Sequence, residues 1–266
     1  MTQMESITST TKSDDDGFDR PPTLPSFKRG VAWTVLLAAL FFVCAFTYAA
    51  IFGFYTAISQ PELFKSGDSE ALSILIVDHL LSDPSSIFGL MLVQCLVFIP
   101  VLFLISNFRL QDYKQTLALR SFSKYWLVRG VILFIAYTIL AAVVEWLMVS
   151  EVDEFILLLN GSRSFKVAFA IVVLAPICEE LIFRGYLFKV LRPTWLGASG
   201  TIVLSSALFM FFHYGQYQWP ILVSIFLFSI LLGYLREKSG SVYLPMIMHA
   251  LNNLISAVYV VYLGMA

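Results

Sequence analysis

Seven long apolar runs separated by short polar loops dominate this sequence, at residues 31–58, 87–106, 126–149, 165–188, 201–214, 220–235 and 242–263. A bilayer core about 30 Å thick is crossed by a helix of about 20 apolar residues. The fifth and sixth runs are short by this measure, and the first and fourth are long enough to tilt or project beyond the lipid. Composition agrees: 59% of the 266 residues are hydrophobic and 13% are charged, against about 25% charged in a soluble domain. The fold class predicted is an all-α, polytopic transmembrane helical bundle. It has seven spans, or eight if the moderately apolar stretch 70–81, which holds Asp78 and His79, also inserts.

The expected organisation is a disordered cytoplasmic tail over 1–27, N-terminal transmembrane helices over 28–164, and a catalytic transmembrane core over 165–266. The tail carries Asp14, Asp15, Asp16, Pro21, Pro22 and Pro25, too little apolar surface to offset its ordering entropy. Its acidic character does not fit a signal peptide. Orientation follows from the basic residues in short loops. Lys28 and Arg29 precede the first run, and Arg109, Lys114, Arg120 and Lys124 lie between the second and third. Lys189 and Arg192 follow the fourth run, and Arg236 and Lys238 the sixth, whereas loops 59–86 and 150–164 favour Asp and Glu. The N-terminus is therefore expected in the cytoplasm.

A net charge of −1 offers no cationic field for nucleic acid. Cys44, Cys95 and Cys178 stand singly in apolar runs, which argues against a disulfide framework or a cysteine zinc site. No internal repeat, glycine-rich phosphate loop or matched pair of interrupted helices is evident.

The informative residues are the polar ones within the spans, because a charge at mid-bilayer costs about 2.5–3.5 kcal/mol and is retained for a reason. The fourth run places Glu179, Glu180 and Arg184 just after Pro176. Glu180 and Arg184 are four residues apart and share a helix face, so they can pair. Glu179 points about 100° away and is left to face a cavity. The fifth run ends in Phe209 and His213, and the seventh holds His249 and Asn253, again four apart. At 1.5 Å per residue, Glu179 and His249 lie about 10 Å in from the basic side and His213 about 15 Å, which are compatible depths.

A carboxylate, two imidazoles and a carboxamide converging in a wet apolar site suit hydrolysis of an acyl bond. Glu179 would be the general base on water, and His213 would orient or deprotonate the same water. His249 and Asn253 would donate to the developing oxyanion. Cys178 has no evident cationic neighbour to make it a nucleophile. No cofactor is required, although zinc at Glu179, His213 and His249 remains open, since a carboxylate and two histidines are a possible catalytic set. The HExxH pairing on one helix turn is absent.

At these residues the chain resembles the CPBP family of intramembrane proteases, the type II CAAX prenyl endopeptidase or Abi family. Its signature EExxxR, FxxxH, HxxxN stands here as Glu179-Glu180-Leu181-Ile182-Phe183-Arg184, Phe209 to His213 and His249 to Asn253. The resemblance implies that Glu179, His213, His249 and Asn253 are catalytic, and that Glu180, Arg184 and Phe209 support them. It also implies a lipid bilayer as surroundings and a peptide or prenylated protein as substrate, cleaved on the cytoplasmic side. The expected location is a bacterial inner membrane. The contrasting expectation is a non-enzymatic membrane protein, an immunity-like factor, a scaffold or a proton-linked carrier, since buried ionisable groups also suit proton relays.

Overall fold

The computed structural model describes residues 27–59, 61–62, 70–71, 73–75, 83–110, 112–148 and 152–264. The tail over 1–26, and Asp78 and His79 of the candidate eighth segment, lie outside the described residues, as does the side chain of Arg109. Each apolar run is helical over most of its described residues. The order is α1 (Phe27–Ser59), α2 (Pro84–Leu110), a short α3 (Tyr113–Thr116), α4 (Lys124–Met148) and a short α5 (Glu154–Leu159). A long composite helix α6 follows, then α7 (Gly197–Phe211), α8 (Trp219–Ser239) and α9 (Tyr243–Ala257), which continues as a π turn over Val258–Leu263. There is no strand among the described residues.

Five helices are long and apolar enough to cross a membrane: Val31–Ser59, Pro84–Ser106, Lys124–Met148, Trp219–Ser239 and Tyr243–Leu263. The two other apolar runs differ for separate reasons. Helix α7 has only 15 residues. Helix α6 changes register along its length, as Phe165–Phe169 (α), Ala170–Leu174 (π), Ala175–Glu180 (α), Leu181–Leu187 (π) and Phe188–Leu191 (α).

The first π segment has a cause in the sequence. Proline lacks an amide hydrogen, and its ring clashes with the carbonyl one turn back. Ala175 donates to the carbonyl of Ala170, five residues earlier. In that register the next carbonyl, Ile171, would be served by residue 176, which is Pro176. Its partner has to come from another helix. At the second π segment, Phe188 donates to the Phe183 carbonyl five residues back and the helix then returns to α. The return passes over the carbonyl of Arg184.

Helix α6 is the inner helix. From Leu181 to Leu191 it buries Phe183, Arg184, Tyr186, Leu187, Phe188, Val190 and Leu191. By contrast, α1 and α4 expose residues such as Phe46 and Trp146, as a lipid-facing surface should. Lipid removes most of the hydrophobic drive for helix association, so close packing and interhelical hydrogen bonds carry it instead. Small residues serve that end here: α7 buries Thr201, Ser205 and Ser206, and α8 buries Ser224, Ser229 and Gly233.

The basic loops gather at one end of the bundle. Arg120 Nε donates to the Gly240 carbonyl at 2.5 Å, Ser241 Oγ to the Arg120 carbonyl, and the Val242 amide to Ala118. Arg192 forms a forked pair with Glu237 at 2.9–3.0 Å, which raises the Arg192 pKa further. Gly240 closes α8 with φ +71°, and a Cβ there would collide with Arg120 Nη2. At the opposite end, the Gln218 amide donates to Asp153 Oδ1 at 3.0 Å. The amides of Gly161 and Arg163 there serve the carbonyls of Val260 and Val261.

Candidate active site

Glu180 and Arg184 form the pair their spacing predicts, with Arg184 Nη1 donating to Glu180 Oε1 at 2.9 Å and both side chains wholly buried. Arg184 Nη2 donates to the Ser229 carbonyl at 2.9 Å and to Ser229 Oγ at 2.5 Å. The guanidinium also lies 4.9 Å from the centre of the Phe209 ring. A buried ion pair needs such additional partners to offset its desolvation. The Arg184 carbonyl, passed over by the π-to-α change, accepts from Arg236 Nε at 2.7 Å.

The same Glu180 oxygen has a second neighbour that the sequence reading did not include. His249 Nδ1 lies 2.9 Å from Glu180 Oε1. An ionised carboxylate only accepts, so Nδ1 carries the proton. That turns His249 Nε2 towards Glu179 Oε2, 3.7 Å away. Glu179 is the more open carboxylate, 23% exposed, and its Oε2 is buried with no hydrogen-bond partner among the described residues.

His213 stands just past the end of α7. Its Nδ1 lies 2.9 Å from the Phe209 carbonyl, which assigns the proton to Nδ1 and leaves Nε2 an acceptor. Phe209 is the common neighbour of the cluster. Its ring centre is 4.7 Å from that of His213, 5.7 Å from that of His249 and 5.1 Å from that of Phe183. The FxxxH spacing therefore supplies both the acceptor for His213 and the ring on which both imidazoles rest.

Asn253 has a partner in the backbone of α6. Its Nδ2 donates to the Ile171 carbonyl at 2.9 Å, the carbonyl that Pro176 leaves unserved. The carboxamide of α9 thus satisfies a backbone defect in α6, and one amide hydrogen remains. Among the described residues, no group of three His, Cys, Asp or Glu side chains is placed to hold one metal ion. Cys44, Cys95 and Cys178 are buried and unbridged.

Sequence reasoning gave no place at the site to Ser229, Arg236 or Tyr217, and counted Arg236 only among the basic residues that set the orientation. The first two meet α6 only across helix interfaces and carry no local signal. Tyr217 follows His213 by four residues, and its ring stacks on the imidazole at 6.1 Å with 27° between planes.

Comparison with known proteins finds a likeness to one family over a segment that carries these groups. An uncharacterized 24.3 kDa protein of Escherichia coli is 36% identical over 85 residues, 30% of this chain and 37% of that protein. The chain thus matches well under half the length of that relative. No solved structure matches the chain significantly. Residues 161–255, which include every motif residue from Glu179 to Asn253, match the family described as Type II CAAX prenyl endopeptidase Rce1-like, and the likeness to CPBP proteases read from the three motifs is borne out over that segment.

Proposed function

We propose that the chain is an intramembrane endopeptidase in which Glu179 activates a water molecule for attack on a peptide carbonyl. The observation that carries the reading is the unequal treatment of two adjacent carboxylates. Glu180 is buried and held by Arg184 and His249, whereas Glu179 remains partly exposed with His249 Nε2 3.7 Å away. One carboxylate is committed to structure and the other is available to a reactant.

In this reading Glu179 takes the proton from water, and His213 Nε2, an acceptor by its tautomer, orients that water. The oxygen attacks the carbonyl carbon and the C=O electron pair moves onto oxygen. The C–N bond then breaks, and the proton held by Glu179 passes to the leaving nitrogen. Donation from His249 Nε2 to the oxyanion would need both ring nitrogens protonated, an imidazolium between Glu179 and Glu180. The second amide hydrogen of Asn253 is the other donor. Arg184 and Glu180 position His249, and Phe209 spaces the two imidazoles. In this form Glu179 activates the water without a metal; zinc held by Glu179, His213 and His249 is the alternative form.

The substrate we infer is a membrane-associated peptide, prenylated at a CAAX-type C-terminus or not. The basic end of the bundle faces the cytoplasm, following the excess of Lys and Arg in those loops, and the membrane is the inner membrane of a bacterium. The test is cleavage of prenylated and unprenylated peptides by the purified protein in detergent. Loss of cleavage in Glu179→Ala is expected, and equal cleavage by wild type and variant would refute the reading. Activity lost on adding a chelator and regained with zinc would overturn the metal-free form.

A second reading is favoured by the succession Glu179, His249, Glu180, with gaps of 3.7 and 2.9 Å, which also suits proton movement in a carrier. Proton flux into liposomes that is abolished in Glu179→Gln, with no peptide cleavage, would select it.

A further inference from the structure

The loop between α7 and α8 brings a further polar side chain, Tyr217, against His213. His213 begins a tight reversal in which the Gln216 amide donates to the His213 carbonyl at 3.1 Å. Tyr214 and Tyr217 form an isolated bridge across it. Gly215 takes φ +86°, a conformation that costs a residue with a side chain 1–2 kcal/mol or so. The turn folds Tyr217 back onto the His213 ring. Phe155 also meets the Tyr217 ring, edge-on at 5.5 Å and 80°.

One side chain pins this loop from outside. Asp153, 6% exposed, accepts from the Gln218 amide at 3.0 Å. Gln218 is the residue that opens α8 and directly follows Tyr217. The loop before α5 therefore fixes where the Tyr217 ring sits relative to His213.

We propose that Tyr217 is a further catalytic residue, whose phenol O–H donates to the scissile carbonyl oxygen as it becomes an oxyanion, and that Asp153 is its positioning residue. This rests on the peptidase reading. Asn253 spends one amide hydrogen on Ile171, so the site has room for another donor. Burial, and after it the negative charges of Glu179 and Asp153, keeps the Tyr217 pKa above its ordinary value, which keeps the hydroxyl a donor. The phenol gives up no proton in the step. It shares its hydrogen with the oxygen that receives the C=O electron pair.

The experiment uses the full-length protein in detergent and a farnesylated CAAX-type peptide, with Glu179→Gln as the reference for cleavage that depends on this site. Tyr217→Phe retains the ring and its stacking. Its kcat is expected to fall by about 10²-fold, as for loss of one oxyanion donor, with KM and melting temperature little changed. Glu179-dependent cleavage that is unaltered in Tyr217→Phe overturns the proposal and leaves the peptidase reading standing. Absence of any Glu179-dependent cleavage removes both. For Asp153, the Ala variant is expected to lower kcat, whereas Asn, which keeps an acceptor for the Gln218 amide, restores it. An Asn variant as impaired as Ala overturns the positioning role.

Discussion

Nδ1 of His249 lies 2.9 Å from Oε1 of Glu180. The same oxygen accepts from Arg184 Nη1, so one carboxylate oxygen joins the fourth apolar run to the seventh. The imidazole is thereby fixed in tautomer and direction, with Nε2 turned to Glu179. A fixed ring loses less entropy when a reaction requires it, which is the value of supporting groups behind a reactive one.

Removing Arg184 leaves Glu180 buried without its cation. Arg184→Met should destabilise the protein by about 3–5 kcal/mol, the usual cost of breaking a buried pair. Adding Glu180→Gln should restore part of that loss, because no charge then remains unpaired. Thermal unfolding in detergent reads both, and a double variant as weak as the sum of the singles would contradict the pairing argument.

Asn253 and Pro176 are coupled through the Ile171 carbonyl. Asn253→Ala leaves that acceptor unserved and should cost about 1–3 kcal/mol. Pro176→Ala supplies the missing amide hydrogen, so Asn253→Ala should cost less in that background, by about 0.5 kcal/mol or more. A double-mutant cycle on melting free energies measures the coupling. Strict additivity would show that the amide is not there for the carbonyl.

At the basic end, Gly240→Ala meets two obstacles, φ +71° and a collision of the new Cβ with Arg120 Nη2. A loss of about 1–3 kcal/mol is expected from the backbone alone. Arg120→Ala should relieve the contact but not the backbone strain, so the paired variant should recover only partly. Full recovery in the melting temperature would assign the whole effect to the side chain.

The raised Tyr217 pKa sets an alkaline limit on stability. The phenol of the unfolded chain ionises near pH 10 or so, while in the folded protein it stays protonated to higher pH. Below pH 10 both states hold the proton and nothing changes. Above it the unfolded chain releases the proton first, so stability falls as pH rises. Melting temperatures followed from pH 9 to 11 should drop more steeply for wild type than for Tyr217→Phe, and parallel slopes would refute this.

The Glu180–Arg184 pair was legible in the sequence because a four-residue spacing on a helix brings side chains together whatever surrounds them. Pro176 was equally visible, but its consequence, a π segment whose carbonyl is served by Asn253, depended on α9 lying alongside. That His249 and Asn253 share one helix face was legible too. A shared face does not say which neighbour each side chain meets: His249 meets Glu180 and Asn253 meets Ile171. Tyr217 carried only a spacing, and Asp153, 60 or so residues before His213, no local signal at all.

By itself the sequence determined that this chain is a bundle of membrane-spanning helices and which polar residues within them demand explanation. Both follow from the local cost of placing apolar segments in water and charges in lipid. Only the tertiary structure decided which carboxylate is held and which is left open, and where each imidazole points. Those outcomes depend on hydrogen bonds between helices far apart in the chain, whose register no local pattern fixes.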